Sequence, residues 1–166
     1  MDIVDKDTRS RIMAAVRSKD TAPEMSLRRA LFRKGYRYRL HRKDLPGKPD
    51  MVFPKHHAVV FVNGCFWHYH GCRKTSIPSS RRTWWRRKLE GNRMRDMTVL
   101  SDLREGGWRT VVVWECSFRK VGVRRTVVLD RVAQRVAAFL PSKRSHLEIA
   151  GHPEKRAGMQ VRNNRT

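Results

Sequence analysis

The sequence predicts an α/β fold whose elements run ααβββαβα along the chain. Three observations carry this reading. Segments with a helical apolar period alternate with short β-rich apolar runs, glycine or proline punctuates most of the switches, and 166 residues suffice for one domain with a buried core.

Asp7 or Thr8 can cap a short helix through about Ser18, with Ile12, Met13 and Val16 on one face and basic residues on the other, suited to lie against a partner. Thr21 followed by Glu24 has capping-box spacing, Pro23 suits a first helical turn, Leu27, Ala30 and Leu31 form an apolar stripe, and Gly35 ends that second helix. Tyr36 to Leu40 alternates aromatic or apolar residues with arginine, as a half-buried strand does. After the breakers Pro46, Gly47 and Pro49, the runs Met51–Phe53 and Ala58–Val62 flank Pro54 to His57 and read as the arms of an antiparallel hairpin. A basic helix is expected from about Thr83 to Arg104, weakened by Gly91 and Asn92 and stopped at Gly106 and Gly107. Thr110–Trp114 resembles a central strand, and Arg124–Leu140 returns to a helical period through Val127, Val128, Val132, Val136 and Phe139. Beyond Pro141 large apolar residues are few, so residues 1–140 are expected to form the domain and residues 141–166 a disordered basic tail.

The charge balance narrows the function. Thirty-eight Lys and Arg against 15 Asp and Glu leave a net charge of +23. Residues 141–166 hold six basic and two acidic groups, so the excess belongs to the body of the chain. Such a field draws polyanions, and nucleic acid is a better candidate than a membrane surface, because no segment reads as an amphipathic anchor. No apolar run approaches a spanning helix, and the charged N-terminus lacks the apolar stretch of a signal peptide, so a cytoplasmic, nucleoid-associated protein is expected.

The run Asn63 to Cys72 carries the densest chemistry. Cys65, His70 and Cys72, joined by the distant Cys116, make a Cys₃His set suited to a structural, tetrahedral zinc ion, and they use every cysteine in the chain. His68 rivals His70 as the fourth ligand. In a locally extended loop His68 would share a side with His70 and stay available as a general base, with Asp96 as a candidate acceptor for its ring; a lone loop histidine is otherwise a surface group. The hairpin sets Asp50 beside Val62 and Asn63, where a carboxylate and a backbone carbonyl can hold Mg²⁺, and Glu24 can orient a metal-bound water. The plainer alternatives are a turn residue for Asp50 and half a capping box for Glu24. Phe66 and Trp67 suit an exposed wedge. Trp84 and Trp85 lie among arginines and suit base stacking, although at least one of them is expected in the core, as are Trp108 and Trp114.

These residues resemble the very short patch repair (Vsr-type) DNA mismatch endonucleases. The likeness runs from about Asp5 to Arg119 through DKDTRSRIM, DTAPE, LPGKPDMVF, FVNGCFWHYHGC, the tryptophan-rich basic helix with Asn92 and Asp96, and GWRTVVVWECSFR. It implies a restriction-endonuclease-like mixed β-sheet flanked by helices, and Mg²⁺-dependent nicking of double-stranded DNA on the 5′ side of the thymine in a T·G mismatch. Such mismatches arise when 5-methylcytosine deaminates. On this likeness Asp50 is the metal-binding aspartate, Val62 a main-chain metal ligand, Glu24 the carboxylate holding metal-bound water, His68 the general base and Asp96 its support. Cys65, His70, Cys72 and Cys116 match the structural zinc ligands. Phe66, Trp67 and Trp85 match aromatics that wedge into the base stack, Met13 and Val16 the helix that approaches the minor groove, and Asn92 a DNA contact. Asn63 departs from the pattern, standing where the family has a histidine, and implies weakened or altered catalysis because an amide cannot shuttle protons.

The expected partner is mismatched duplex DNA, with mismatch-repair proteins as possible associates, no membrane, and a monomeric chain. Three rivals differ in kind: a non-catalytic mismatch or methylation-context binder, for which Asn63 speaks; a zinc hydrolase with His68 as a ligand; and a general nuclease of the same fold.

Overall fold

The computed structural model describes Thr8, Arg11 and residues 19–40, 42–119 and 122–151. The expected N-terminal helix with Met13 and Val16, and residues 152–166 of the expected tail, lie outside the described residues. Three helices and four strands are named among the rest: α1 Ala22–Arg33, β1 Met51–Phe53, β2 Ala58–Asn63, α2 Arg82–Glu105, β3 Arg109–Trp114, α3 Arg125–Phe139 and β4 His146–Ile149. One mixed sheet runs β1-β2-β3-β4, with β1 antiparallel to β2 and the other two pairings parallel.

Strand alternation explains the layering. Met51, Phe53, Val60, Val111 and Val113 point to one face, where Leu27 and Leu31 of α1 and Val132, Val136 and Phe139 of α3 cover them. Val52 and Val59 point to the other face and meet Leu103 of α2, with Phe61 and Val99 beside them. Both faces are therefore buried, and β3, with Val111–Val113 almost wholly inaccessible, is the central strand its composition predicted. The Glu24 carboxylate accepts the Thr21 N–H at 3.2 Å, so the capping spacing does set the start of α1. Arg109, at the foot of β3, donates to the carbonyls of Leu140, at 2.5 Å, and of Ser142, satisfying groups that the end of α3 leaves open.

Three expectations need correction. Tyr36–Leu40 forms no strand. Only Arg39 bridges Val52, through two 2.8 Å backbone hydrogen bonds, because β1 spans three residues between Asp50 and Pro54 and offers no longer ladder. Gly91 and Asn92 do not interrupt α2, which runs unbroken for 24 residues. The domain boundary expected at residue 140 falls later: His146–Ile149 adds a fourth strand in register with Thr110–Val113. Ile149 is 1% exposed and Leu147 half-buried, while His146 and Glu148 between them are exposed, so two apolar residues suffice for an edge strand with one covered face.

Candidate active site and metal centre

The site begins where the β1–β2 hairpin opens. Met51 pairs with Val60, so Asp50, one residue earlier, lies beside the last residues of β2, and its carboxylate accepts the Val62 N–H at 2.7 Å. Burial pushes the Asp50 carboxyl up to about 6; the Val62 N–H opposes this, the Glu24 charge adds to it, and Arg28 and His68 offset it. Glu24, on the first turn of α1, is 2% exposed and is bonded to Arg28 one turn on. Asp50, Glu24, Val62, Asn63, Trp67 and His68 line a cavity of about 750 Å³, with Lys19, Lys43 and Lys48 among its other lining residues. Those lysines add positive charge to the lining, which suits an anionic ligand.

The loop after β2 folds as turns rather than as an extended segment. His68 N–H bonds to Gly64 O at 3.1 Å and His70 N–H to Cys65 O at 3.0 Å, with Tyr69 and Gly71 both at left-handed φ. The expected alternation of His68 with His70 therefore does not apply. Instead the two rings part: His70 is buried and stacks on Trp114 with centroids 4.1 Å apart, while His68 is half-buried at the cavity and its Nδ1 lies 2.7 Å from the Asp96 carboxylate on α2. An Nδ1–H donated to Asp96 leaves Nε2 as an acceptor, the tautomer that hydrogen bond implies.

Behind the loop, Cys65, His70, Cys72 and Cys116 bring one ligand atom each to within 4.8 Å of one another. Ligands about 2.0–2.3 Å from a tetrahedral ion stand about 3.3–3.8 Å apart, so a small contraction of this set makes a four-coordinate metal site with no place left for substrate. The supporting bonds fit as well. The Cys116 N–H points to Cys65 Sγ at 3.3 Å and the Gly151 N–H to Cys116 Sγ at 3.4 Å, donors suited to thiolates, and both thiol groups are buried. The side-chain contact with Cys116, and then burial, raise the Cys65 thiol. His70, not His68, is the histidine that lies in this candidate metal cluster.

The aromatic group lies across the loop and the start of α2. Phe66 and Trp67 have centroids 5.1 Å apart, Trp85 packs 5.4 Å from Phe66, and Lys88 sits over the rings of Trp67, Trp84 and Trp85. Phe66 and Trp67 are half-buried, but Trp85 is 9% exposed, so it backs the other two rather than projecting, while Trp84 is 45% exposed. Of the pair, Trp85 is the core residue. Trp114 is buried too, but Trp108 is only partly so, stacked on His57. Asn92, expected at the DNA surface, gives its amide to the Trp67 carbonyl at 2.8 Å and accepts from Arg95, so it holds the aromatic loop against α2.

Sequence reasoning missed Arg28 and Gly151, and it read Trp114 as core without its stacking on His70. The i, i+4 spacing of Glu24 and Arg28 was a signal for the first. The other two depend on β4 and on ring stacking, for which the chain has no local mark.

A mixed sheet covered by helices on both faces, with a carboxylate pair at the mouth of its hairpin and a His–Asp pair across the cavity, defines a restriction-endonuclease-like α/β protein. Comparison with known proteins makes this particular. Residues 1–74 match the family model described as DNA mismatch endonuclease Vsr. The chain is 50% identical to the type II nicking enzyme V.XorIIP of Xanthomonas oryzae pv. oryzae over 121 residues, which are 73% of this chain and 89% of that protein. It is 42% identical to DNA mismatch endonuclease Vsr of Escherichia coli over 118 residues, 71% of this chain and 76% of that one. To the type II nicking enzyme V.NmeAIP of Neisseria meningitidis it is 40% identical over 124 residues, covering 75% and 89%. The chain belongs to the Vsr family of DNA mismatch endonucleases.

Proposed function

We propose that this protein is a Mg²⁺-dependent endonuclease that nicks double-stranded DNA on the 5′ side of the thymine in a T·G mismatch, initiating very short patch repair of deaminated 5-methylcytosine. The observation that carries this reading is the His68–Asp96 pair at 2.7 Å, whose histidine lines the same cavity as Asp50 and Glu24. His68 Nε2 takes the proton of the attacking water, and Asp96 holds the ring and stabilises the imidazolium that forms. Asp50 and the Val62 main chain, with Glu24 behind them, fit a hard cation: a desolvated carboxylate beside a second one is relieved by positive charge. Bound Mg²⁺ supplies Lewis-acid stabilisation of the phosphate and the leaving oxygen. Asn63 can hydrogen-bond a phosphate oxygen but cannot relay a proton, so turnover is slower than with a histidine there.

Cys65, His70, Cys72 and Cys116 hold a structural Zn²⁺ that ties the loop to the end of β3. That anchoring lets Phe66 and Trp67, backed by Trp85, press into the base stack. A T·G pair stacks less well than a Watson–Crick pair and costs less than the few kcal/mol of opening a matched step. Met13 and Val16 approach from the minor groove. The protein works as a monomer on nucleoid DNA in the cytoplasm, alongside mismatch-repair proteins.

A strand-resolved nicking assay on matched and T·G duplexes with Mg²⁺ tests the reading. Cleavage confined to the thymine strand of the mismatch is expected. Mismatched DNA that is bound but left uncut would favour the non-catalytic binder for which Asn63 speaks, and equal cutting of all duplexes would favour a general nuclease.

A further inference from the structure

We propose that Arg28 is a positioning residue of this site: its guanidinium joins the Glu24 side chain to the Asp50 main chain and so sets the spacing of the two carboxylates. The proposal rests on reading Asp50 and Glu24 as the metal-side carboxylates. Arg28 is 3% exposed, and an arginine so buried is costly unless its charge is paired and hydrogen-bonded. Two of the answering groups belong to the site and the third, Asp20, stands outside it. Nη2 is bonded to the Glu24 carboxylate and donates to the Asp50 carbonyl at 3.2 Å, while Nη1 meets Asp20 at 2.5 Å.

The bond to Asp50 spans 22 residues and links α1 to the start of β1 at the position where the Asp50 side chain turns into the cavity. Without it the two carboxylates are carried by separate elements, whose apolar residues Leu27, Leu31, Met51 and Phe53 share one core cluster. Those contacts fix the layer but not the carboxylates. A planar fork with five donors can serve a carboxylate and a carbonyl at once, whereas a lysine ammonium acts as a point charge that serves one geometry poorly and the other not at all. A buried ion pair kept for stability alone could be exchanged for apolar residues at little cost. A pair kept for spacing cannot, and the difference is measurable.

The test uses Arg28→Lys and Arg28→Met in the full chain, with zinc content and thermal unfolding as checks of folding. Mn²⁺ binding is followed by calorimetry without DNA, and single-turnover nicking of the T·G duplex is followed against Mg²⁺ concentration. For Arg28→Lys the expected result is a Mn²⁺ Kd weakened roughly 10–100-fold, as for outer residues that orient metal ligands. The half-saturating Mg²⁺ concentration should rise in parallel, with duplex affinity measured in the absence of divalent metal unchanged. In a Glu24→Gln background the same substitution should cost less, because the shared partner is already altered. A folded Arg28→Lys protein with wild-type Mn²⁺ affinity and Mg²⁺ dependence overturns the proposal, and so does a wild-type protein that takes up no Mn²⁺. If Arg28→Met fails to fold, Arg28→Lys decides. A wild type that binds Mn²⁺ yet nicks no duplex would refute the functional reading alone, since the Mn²⁺ titration still judges Arg28.

Discussion

Replacing Asp96 by Asn isolates the contribution of the carboxylate to the proposed base. The amide is nearly the same size and its carbonyl can still accept the His68 Nδ1–H across 2.7 Å, so the ring orientation survives and only the charge is lost. A hydrogen bond to a charged group is worth about 1.5–3 kcal/mol, and each 1.4 kcal/mol is a factor of ten in rate. The pair is about one-third exposed on each side, 34% for His68 and 31% for Asp96, so water screens part of that charge and the lower half of the range applies. The expected effect is a fall of about 10–30-fold in the single-turnover rate at saturating Mg²⁺. Affinity for the T·G duplex should be unchanged. A rate within about twofold of wild type would refute the claim that Asp96 stabilises the imidazolium.

Asp50 sets stability against function. Its folded carboxyl is held near 6, above the unfolded value, so the folded protein binds the extra proton between about pH 4 and pH 6 and loses stability as pH rises through that window. Asp50→Asn, in metal-free buffer, should therefore unfold at a higher temperature than wild type above pH 6, with the gain gone near pH 4, while nicking is abolished; a lower Tm at pH 7.5 would contradict this. Trp67→Ala should lower T·G duplex affinity by roughly 10–100-fold, at about 1–3 kcal/mol per stacked base, and leave non-specific duplex binding intact, as read by fluorescence anisotropy. Gly151→Ala drives a methyl into the Cys116 carbonyl, and the strain should cost about 1–3 kcal/mol in chemical denaturation and weaken the retention of zinc loaded onto the Cys65, His70, Cys72 and Cys116 set against a chromogenic chelator.

Legibility in the chain followed locality. The β1–β2 hairpin, α1 with its capping pair, α2, β3 and α3 each carry their own period or cap, and each stands within a few residues of where that signal put it. The approach of Asp50 to Val62 followed from hairpin pairing alone. The Cys65, His70 and Cys72 cluster was visible from its spacing, and Cys116 from its place at the end of β3. What failed depends on partners far off in sequence. Tyr36–Leu40 has strand chemistry but only three residues of β1 to pair with. His146–Ile149 lacks strand composition, yet it is drawn into the sheet by the free edge of β3. Arg28 looks like one more surface cation in a chain with 38 basic residues until Asp50 arrives beside it.

The fourth strand also bears on how the protein is made. Cys65, His70 and Cys72 leave the ribosome some 80 residues before Gly151, whose N–H reaches Cys116 Sγ, and before Glu148, whose carboxylate takes the Trp114 indole N–H. The parallel pairing of β3 with β4 closes across all of α3, one of the long-range contacts that fold late. A nascent or truncated chain ending before Arg144 thus has every cysteine but neither the Gly151 N–H that reaches Cys116 Sγ nor the acid that takes the Trp114 indole N–H. The bonds that hold the loop to the end of β3 are complete only once Glu148 and Gly151 have been made, well after the three clustered ligands of the loop itself.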